Sequence, residues 1–127
     1  MQKTIQEWIE IADYDLQTAE VMLKGERYLY VAFMCQQSAE KTLKAIYVYK
    51  KNVLPPRTHN LLYLVDILGI SLEKPRLELL SRLNLFYLES RYPGERNNLA
   101  KALDKDKAQD ILSKSKEVIK CLKQMLP

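Results

Sequence analysis

At 127 residues, 47% of them apolar, the chain has material for one domain with a real core, and three glycines leave little room for linkers. Twenty Lys and Arg against sixteen Asp and Glu give a net charge of +4, which permits contact with phosphates without requiring it. Two cysteines in separate predicted helices, no CxxC and a single histidine argue against a zinc site, and no apolar run approaches a membrane span. The polar N-terminus lacks a signal-peptide core, so a reduced cytoplasmic setting without membrane association is the expectation.

Thr4-Ile5-Gln6-Glu7 reads as a capping box. Ile5, Trp8, Ile9, Ala12, Leu16, Ala19, Met22 and Leu23 then recur at helical spacing until Gly25, with Glu10, Asp13, Asp15 and Glu20 on a polar outer face. A second helix is predicted over Tyr28 to Lys51, striped by Leu29, Ala32, Phe33, Ala39, Leu43, Ile46 and Tyr47 and stopped by Pro55-Pro56. The short connection between the two predicts antiparallel packing. A third helix is expected from His59 to Leu68, with Thr58 as N-cap and Gly69 after it.

Ser71 and Pro75 open a fourth, carrying Leu79, Leu80, Leu83, Phe86 and Tyr87, with further leucines at 77, 85 and 88. That spread marks it as the most enclosed helix or as part of an oligomer interface. Arg91-Tyr92-Pro93-Gly94 breaks it, and Glu95 to Lys101 reads as a polar loop. The last helix, Asp104 to Met125, is striped by Ala108, Ile111, Leu112, Ser115, Val118, Ile119 and Leu122, with lysines gathered off the stripe. No strand pattern competes. The expected architecture is a single all-α, up-down helical bundle of about five helices spanning 1–127.

The second helix places polar groups beside its core stripe. At about 100° per residue, Glu40 falls roughly 20° from Phe33 and Tyr47, with Gln36 and Lys44 about 40° to either side. Polar groups set against a core need partners, or they cost about 1–3 kcal/mol each. Glu40 and Lys44 form an i,i+4 pair in the favourable order, so the helix is either wired internally or prepared to meet a polar ligand. His59 serves either as a first-turn residue that orders its loop or as a phosphate contact at a helix start. Arg91 either caps the carbonyls of the fourth helix or faces an anion with help from Arg96. The tyrosines read as core-edge residues or as stacking platforms for bases.

Four elements in this order resemble the HEPN family: Trp8 with Asp13-Tyr14-Asp15-Leu16; Gln36-Gln37-Ser38-Ala39-Glu40-Lys41-Thr42-Leu43-Lys44-Ala45, which is similar to the family's QxAEKxLKA core; Thr58-His59-Asn60-Leu61 after a Pro-containing loop; and Arg91-Tyr92-Pro93. The resemblance implies a homodimeric helical bundle in a nucleotide or RNA context. It also implies work beside a minimal nucleotidyltransferase, often as a toxin–antitoxin pair.

HEPN ribonucleases place a histidine after an arginine with four to six residues between them, and this chain departs from that pattern. Beyond Arg91 the corresponding positions hold Arg96, Asn97 and Asn98, and ahead of His59 they hold Asn52, Val53 and Leu54. The expectation is therefore a nucleotide-linked partner module, with Gln37, Lys41, Lys44, His59, Arg91 and Tyr92 as its nucleotide- or partner-binding residues and no metal or cofactor. The alternatives are an RNA endonuclease using His59 and Arg91 brought together in space, and a purely structural helical dimer.

Overall fold

A computed structural model describes residues 3–127 and contains six helices: α1 (Lys3–Lys24), α2 (Tyr28–Lys51), α3 (Leu61–Leu68), α4 (Lys74–Glu89), α5 (Pro93–Ala102) and α6 (Lys105–Lys123). No strand occurs among the described residues.

The bundle is built around α2, which packs against α1, α3, α4 and α6. Small residues make the close approach of α1 work: Ala12 and Ala19 on α1, and Ser38, Ala39 and Ala45 on α2, are all buried. The Ser38 hydroxyl donates to the Ala12 carbonyl at 2.7 Å, and the Thr42 hydroxyl to the Ser38 carbonyl at 2.9 Å, so these buried polar groups are satisfied. Leu43, Ile46, Leu61, Leu64, Leu80, Leu83, Ile111 and Leu122 fill the centre. α2, not α4, is therefore the most enclosed helix. α4 buries Leu79, Leu80, Leu83 and Tyr87 but leaves Leu85 and Leu88 exposed.

The helix termini correct several sequence expectations. Lys3 and Thr4 are already helical, so Thr4 is not the cap of α1. α1 ends in a turn where Glu26, rather than Gly25, takes the left-handed conformation (φ 61°). α2 ends before its prolines, at a left-handed Asn52 whose N–H donates to the Val48 carbonyl.

The third helix starts at Leu61 and is capped by Asn60, not Thr58: Asn60 Oδ1 accepts from the Tyr63 N–H at 3.1 Å. Asn84 on α4 supports that cap, accepting from the Leu61 N–H at 2.9 Å and donating to Asn60 Oδ1 at 2.9 Å. His59 thus precedes the helix, on a loop clamped between α2 and α4.

Glu95 to Lys101, read as a polar loop after a break at residues 91–94, belong to α5 (Pro93–Ala102). Pro93 stands in its first turn, where a missing N–H costs nothing, and none of its residues is buried. Its formation owes nothing to an apolar stripe. α6 follows as the pattern predicts, with Asp104 accepting from the Lys107 N–H at 2.8 Å.

Candidate functional site

Glu40 projects from the middle of α2 with no exposed surface. A buried carboxylate survives only with several partners, and this one has four. Its Oε2 accepts from Lys41 Nζ at 2.9 Å and Lys44 Nζ at 3.1 Å. Its Oε1 pairs with His59 Nδ1 at 2.8 Å and accepts from Gln36 Nε2 at 3.5 Å. Burial pushes the Glu40 carboxyl upward. The hydrogen bonds from Lys41 and His59, with the charges of Lys41 and Lys44, outweigh burial and hold it below its ordinary value. Glu40 is an anion surrounded by cations.

Gln36 extends the wiring by donating to the His59 carbonyl at 2.8 Å, and Gln37 donates to Gln36 Oε1 at 2.7 Å. The His59 loop is therefore held by both its backbone and its ring. With Nδ1 turned to the carboxylate, Nε2 is the nitrogen left for solvent, and the His59 side chain is half exposed. Behind the carboxylate, Lys44 Nζ lies 5.8 Å from the Trp8 ring centroid. Asp15 sits within the field of Lys41 and Glu40; burial, opposed by Lys41, raises its carboxyl above the ordinary value.

On the solvent side of His59 opens a cleft of about 340 Å³ between the 57–60 loop and the end of α4. Arg57, His59 and Arg91 line it with Thr58, Asn60, Asn84, Tyr87 and Leu88; none of these carries a carboxylate. Tyr87 forms the floor. Its ring stacks on Phe33 at 5.5 Å, meets the His59 ring at 4.8 Å and lies beneath the Arg91 guanidinium at 5.6 Å. His59 and Arg91, thirty-two positions apart, thus share one aromatic support.

The sequence-predicted residues divide into three groups. His59 and Arg91 line the cleft. Gln37, Lys41 and Lys44 belong to the Glu40 network behind it, where both lysines commit their ammonium groups to Glu40. Tyr92 is exposed, stands at the start of α5 and does not line the cleft. Arg96 is also absent from the cleft: it donates to the Tyr30 hydroxyl at 3.0 Å and covers that ring. Nor does Arg91 cap α4, since Ser90 occupies that position. Arg57 and Asn84 join the site without any sequence signal, and Tyr87 carries only the general one of a core-edge or stacking tyrosine. No spacing marks them, because the cleft joins segments that are distant in sequence.

The family model for the HEPN domain matches residues 5–125. The chain belongs to the HEPN family. The match spans all six helices of this HEPN domain except the first two residues of α1. The chain is 27% identical over 133 aligned residues to the candidate toxin MJ1304 of Methanocaldococcus jannaschii, covering 94% of this chain and 86% of that one. In fold it is similar to TT1696 from Thermus thermophilus, with a TM-score of 0.84, 21% identity, and 98% of this chain and 100% of that one covered. It is likewise similar to ST0689, an archaeal HEPN homologue, with a TM-score of 0.76, 22% identity, and 98% and 99% coverage.

Within this HEPN domain the arginine and histidine that sequence spacing keeps apart meet at one cleft. Chemically, that cleft offers two guanidinium forks, an imidazole of fixed orientation and no anionic wall. Among the described residues no cluster of His, Cys, Asp and Glu is arranged to hold a metal, and no helix is long and apolar enough to cross a membrane.

Proposed function

We propose that this HEPN domain is a nucleotide- or RNA-phosphate-binding module that works beside a minimal nucleotidyltransferase in a toxin–antitoxin-type pair. The observation that carries the binding reading is the cleft wall, where Arg57, His59 and Arg91 converge and no carboxylate competes for them. Guanidinium groups match phosphate oxygens in pairs, and a histidine with one nitrogen held by a carboxylate offers the other to the same anion. The toxin name of the Methanocaldococcus jannaschii relative and the HEPN membership support the setting.

The test is binding of AMP, ATP and a labelled single-stranded RNA at low and high salt, with copurification against a minimal nucleotidyltransferase. Binding that weakens with salt and is lost in Arg91→Ala supports the module. Equal binding by the wild type and Arg91→Ala, both folded, removes the cleft from the account.

One observation favours a second reading, that of an RNA endonuclease. The Glu40–His59 pair fixes the ring and leaves Nε2 unengaged by that carboxylate, on a residue that lines the same cleft as Arg91. In that reading Nε2 takes the proton from a ribose 2′-hydroxyl as its oxygen bonds to phosphorus, the P–O5′ bond breaks, the leaving 5′-oxygen takes a proton from water, and Arg91 holds the phosphate. Cleavage by the wild type that disappears in His59→Ala, with RNA binding retained, would establish it. Intact RNA with the folded wild type leaves the non-catalytic module.

A further inference from the structure

The two nitrogens of the His59 ring are not equivalent, and the difference reaches the cleft. Nδ1 lies 2.8 Å from Glu40 Oε1. Lys41 and Lys44 donate to the other carboxylate oxygen, and with His59 they hold the Glu40 carboxyl below its ordinary value against the effect of burial. An ionised carboxylate only accepts. The proton of the contact therefore sits on Nδ1 in both charge states of the ring, and Nδ1–H donates to Oε1.

That assignment fixes what Nε2 can offer. A neutral imidazole has one N–H, and Nδ1 holds it, so Nε2 turns a lone pair toward the cleft. A lone pair repels a phosphate oxygen and accepts from a hydroxyl or an amine instead. Only the doubly protonated ring presents an Nε2–H to an anion, and that hydrogen bond is charge-assisted.

The surrounding charges make the second proton conditional. Arg57 stands on the same loop as His59, and Arg91 just beyond α4. From α2 come Glu40, Lys41 and Lys44, and from α4 the Tyr87 ring at 4.8 Å. On α1, the Asp15 carboxyl lies in the field of Glu40 and Lys41. Among the described residues, α3, α5 and α6 supply nothing to the cleft wall or to the Glu40 cluster. Four cations thus stand about the ring against two carboxylates. A proton on Nε2 joins a cationic neighbourhood until an anion arrives, so each of the two favours the binding of the other.

We infer that the cleft takes a phosphate dianion together with a proton: as the anion settles on Arg57 and Arg91, one proton passes from the buffer to His59 Nε2, which then donates to a phosphate oxygen. The inference rests on the phosphate-binding reading above and adds its regulation, because affinity is then set by pH through one ring.

The experiment is a calorimetric titration with AMP above about pH 7, where a phosphate monoester is already a dianion. It is run in two buffers of different ionisation enthalpy, beside His59→Gln, with thermal melts to show that the variant is folded. The wild type should take up a proton with each AMP, approaching one toward the alkaline end. Its affinity should fall by up to about tenfold per pH unit there. His59→Gln, whose amide donates at any pH, should bind with no proton uptake and a flat pH profile. In the wild type, long-range proton–nitrogen spectra should show Nε2 without a proton in the free protein and with one in the complex, and Nδ1 protonated in both. AMP binding without proton uptake, or uptake that persists in His59→Gln, overturns the inference and leaves the cleft a phosphate site. A free protein whose Nδ1 lacks the proton overturns it as well. No AMP binding by the folded wild type at any pH removes the binding reading and this inference with it.

Discussion

Two sets of ion pairs tie this bundle together, and they behave differently. Between α1 and α6, Glu20 pairs with Lys116 and Asp13 with Lys123, at side chains that stay one-third to one-half exposed. At the centre of α2, Glu40 meets Lys41, Lys44 and His59 with no exposure of its own. The residue types are nearly the same. Water screens the first set and makes each pair replaceable. The second set has lost that screening, so its members depend on one another. The buried set is also the one that reaches the surface at a cleft, through His59.

That contrast can be broken most severely at Glu40. Glu40→Ala leaves Lys44 nearly buried without its anion and frees the His59 ring, and should cost about 3–5 kcal/mol in urea unfolding. Next in size, Arg91→Ala should leave stability close to the wild type and weaken phosphate-ligand binding by about 1.5–3 kcal/mol, roughly tenfold or more, in a calorimetric titration.

The acid limb sharpens the contrast further. Because the folded state holds the Glu40 carboxyl below its ordinary value, the unfolded chain binds the proton more tightly. The stabilisation is therefore fully present above the usual carboxylate range and is lost as pH falls through the lowered folded value. Melting temperatures recorded from neutral into acid should decline over that window. Glu40→Gln should start lower at neutral pH and decline less.

The smallest effect is expected at the surface. The Lys116 hydrogen bond and charge also lower the Glu20 carboxyl, yet Glu20→Gln should change stability by no more than about 1 kcal/mol, and added salt should erase the difference. A larger, salt-insensitive loss at Glu20 would dissolve the distinction between the two sets.

Much of this organisation is legible in the sequence. The period of α1, α2 and α6, the start of α6 near Asp104 and the stop at Gly69 are local signals, and local signals survive folding. The polar run around Glu40 announces that partners must exist, because an unpaired carboxylate beside Phe33 and Tyr47 is too costly to keep.

What could not be read there is tertiary. α5 hides because it buries nothing, so no apolar period betrays it, and its proline at the first turn reads equally well as a break. The cap of α3 lies at Asn60 rather than Thr58 because Asn84, from another helix, supports the former. Arg91 and His59 meet only because the Tyr87 ring seats both of them, and nothing in their spacing says so. The lysines at 41 and 44 look available for a ligand until Glu40 is seen to occupy them.

Whether the cleft takes a phosphate is decided by titrating the 15N-labelled protein with AMP, followed at the single histidine ring and at the arginine side chains. Shifts should concentrate at His59 Nε2, Arg91 and Arg57, with Nδ1 still held by Glu40 and the lysines on Glu40 little moved. Shifts centred elsewhere, or a His59 ring indifferent to AMP at saturating concentration, would contradict phosphate binding at the cleft.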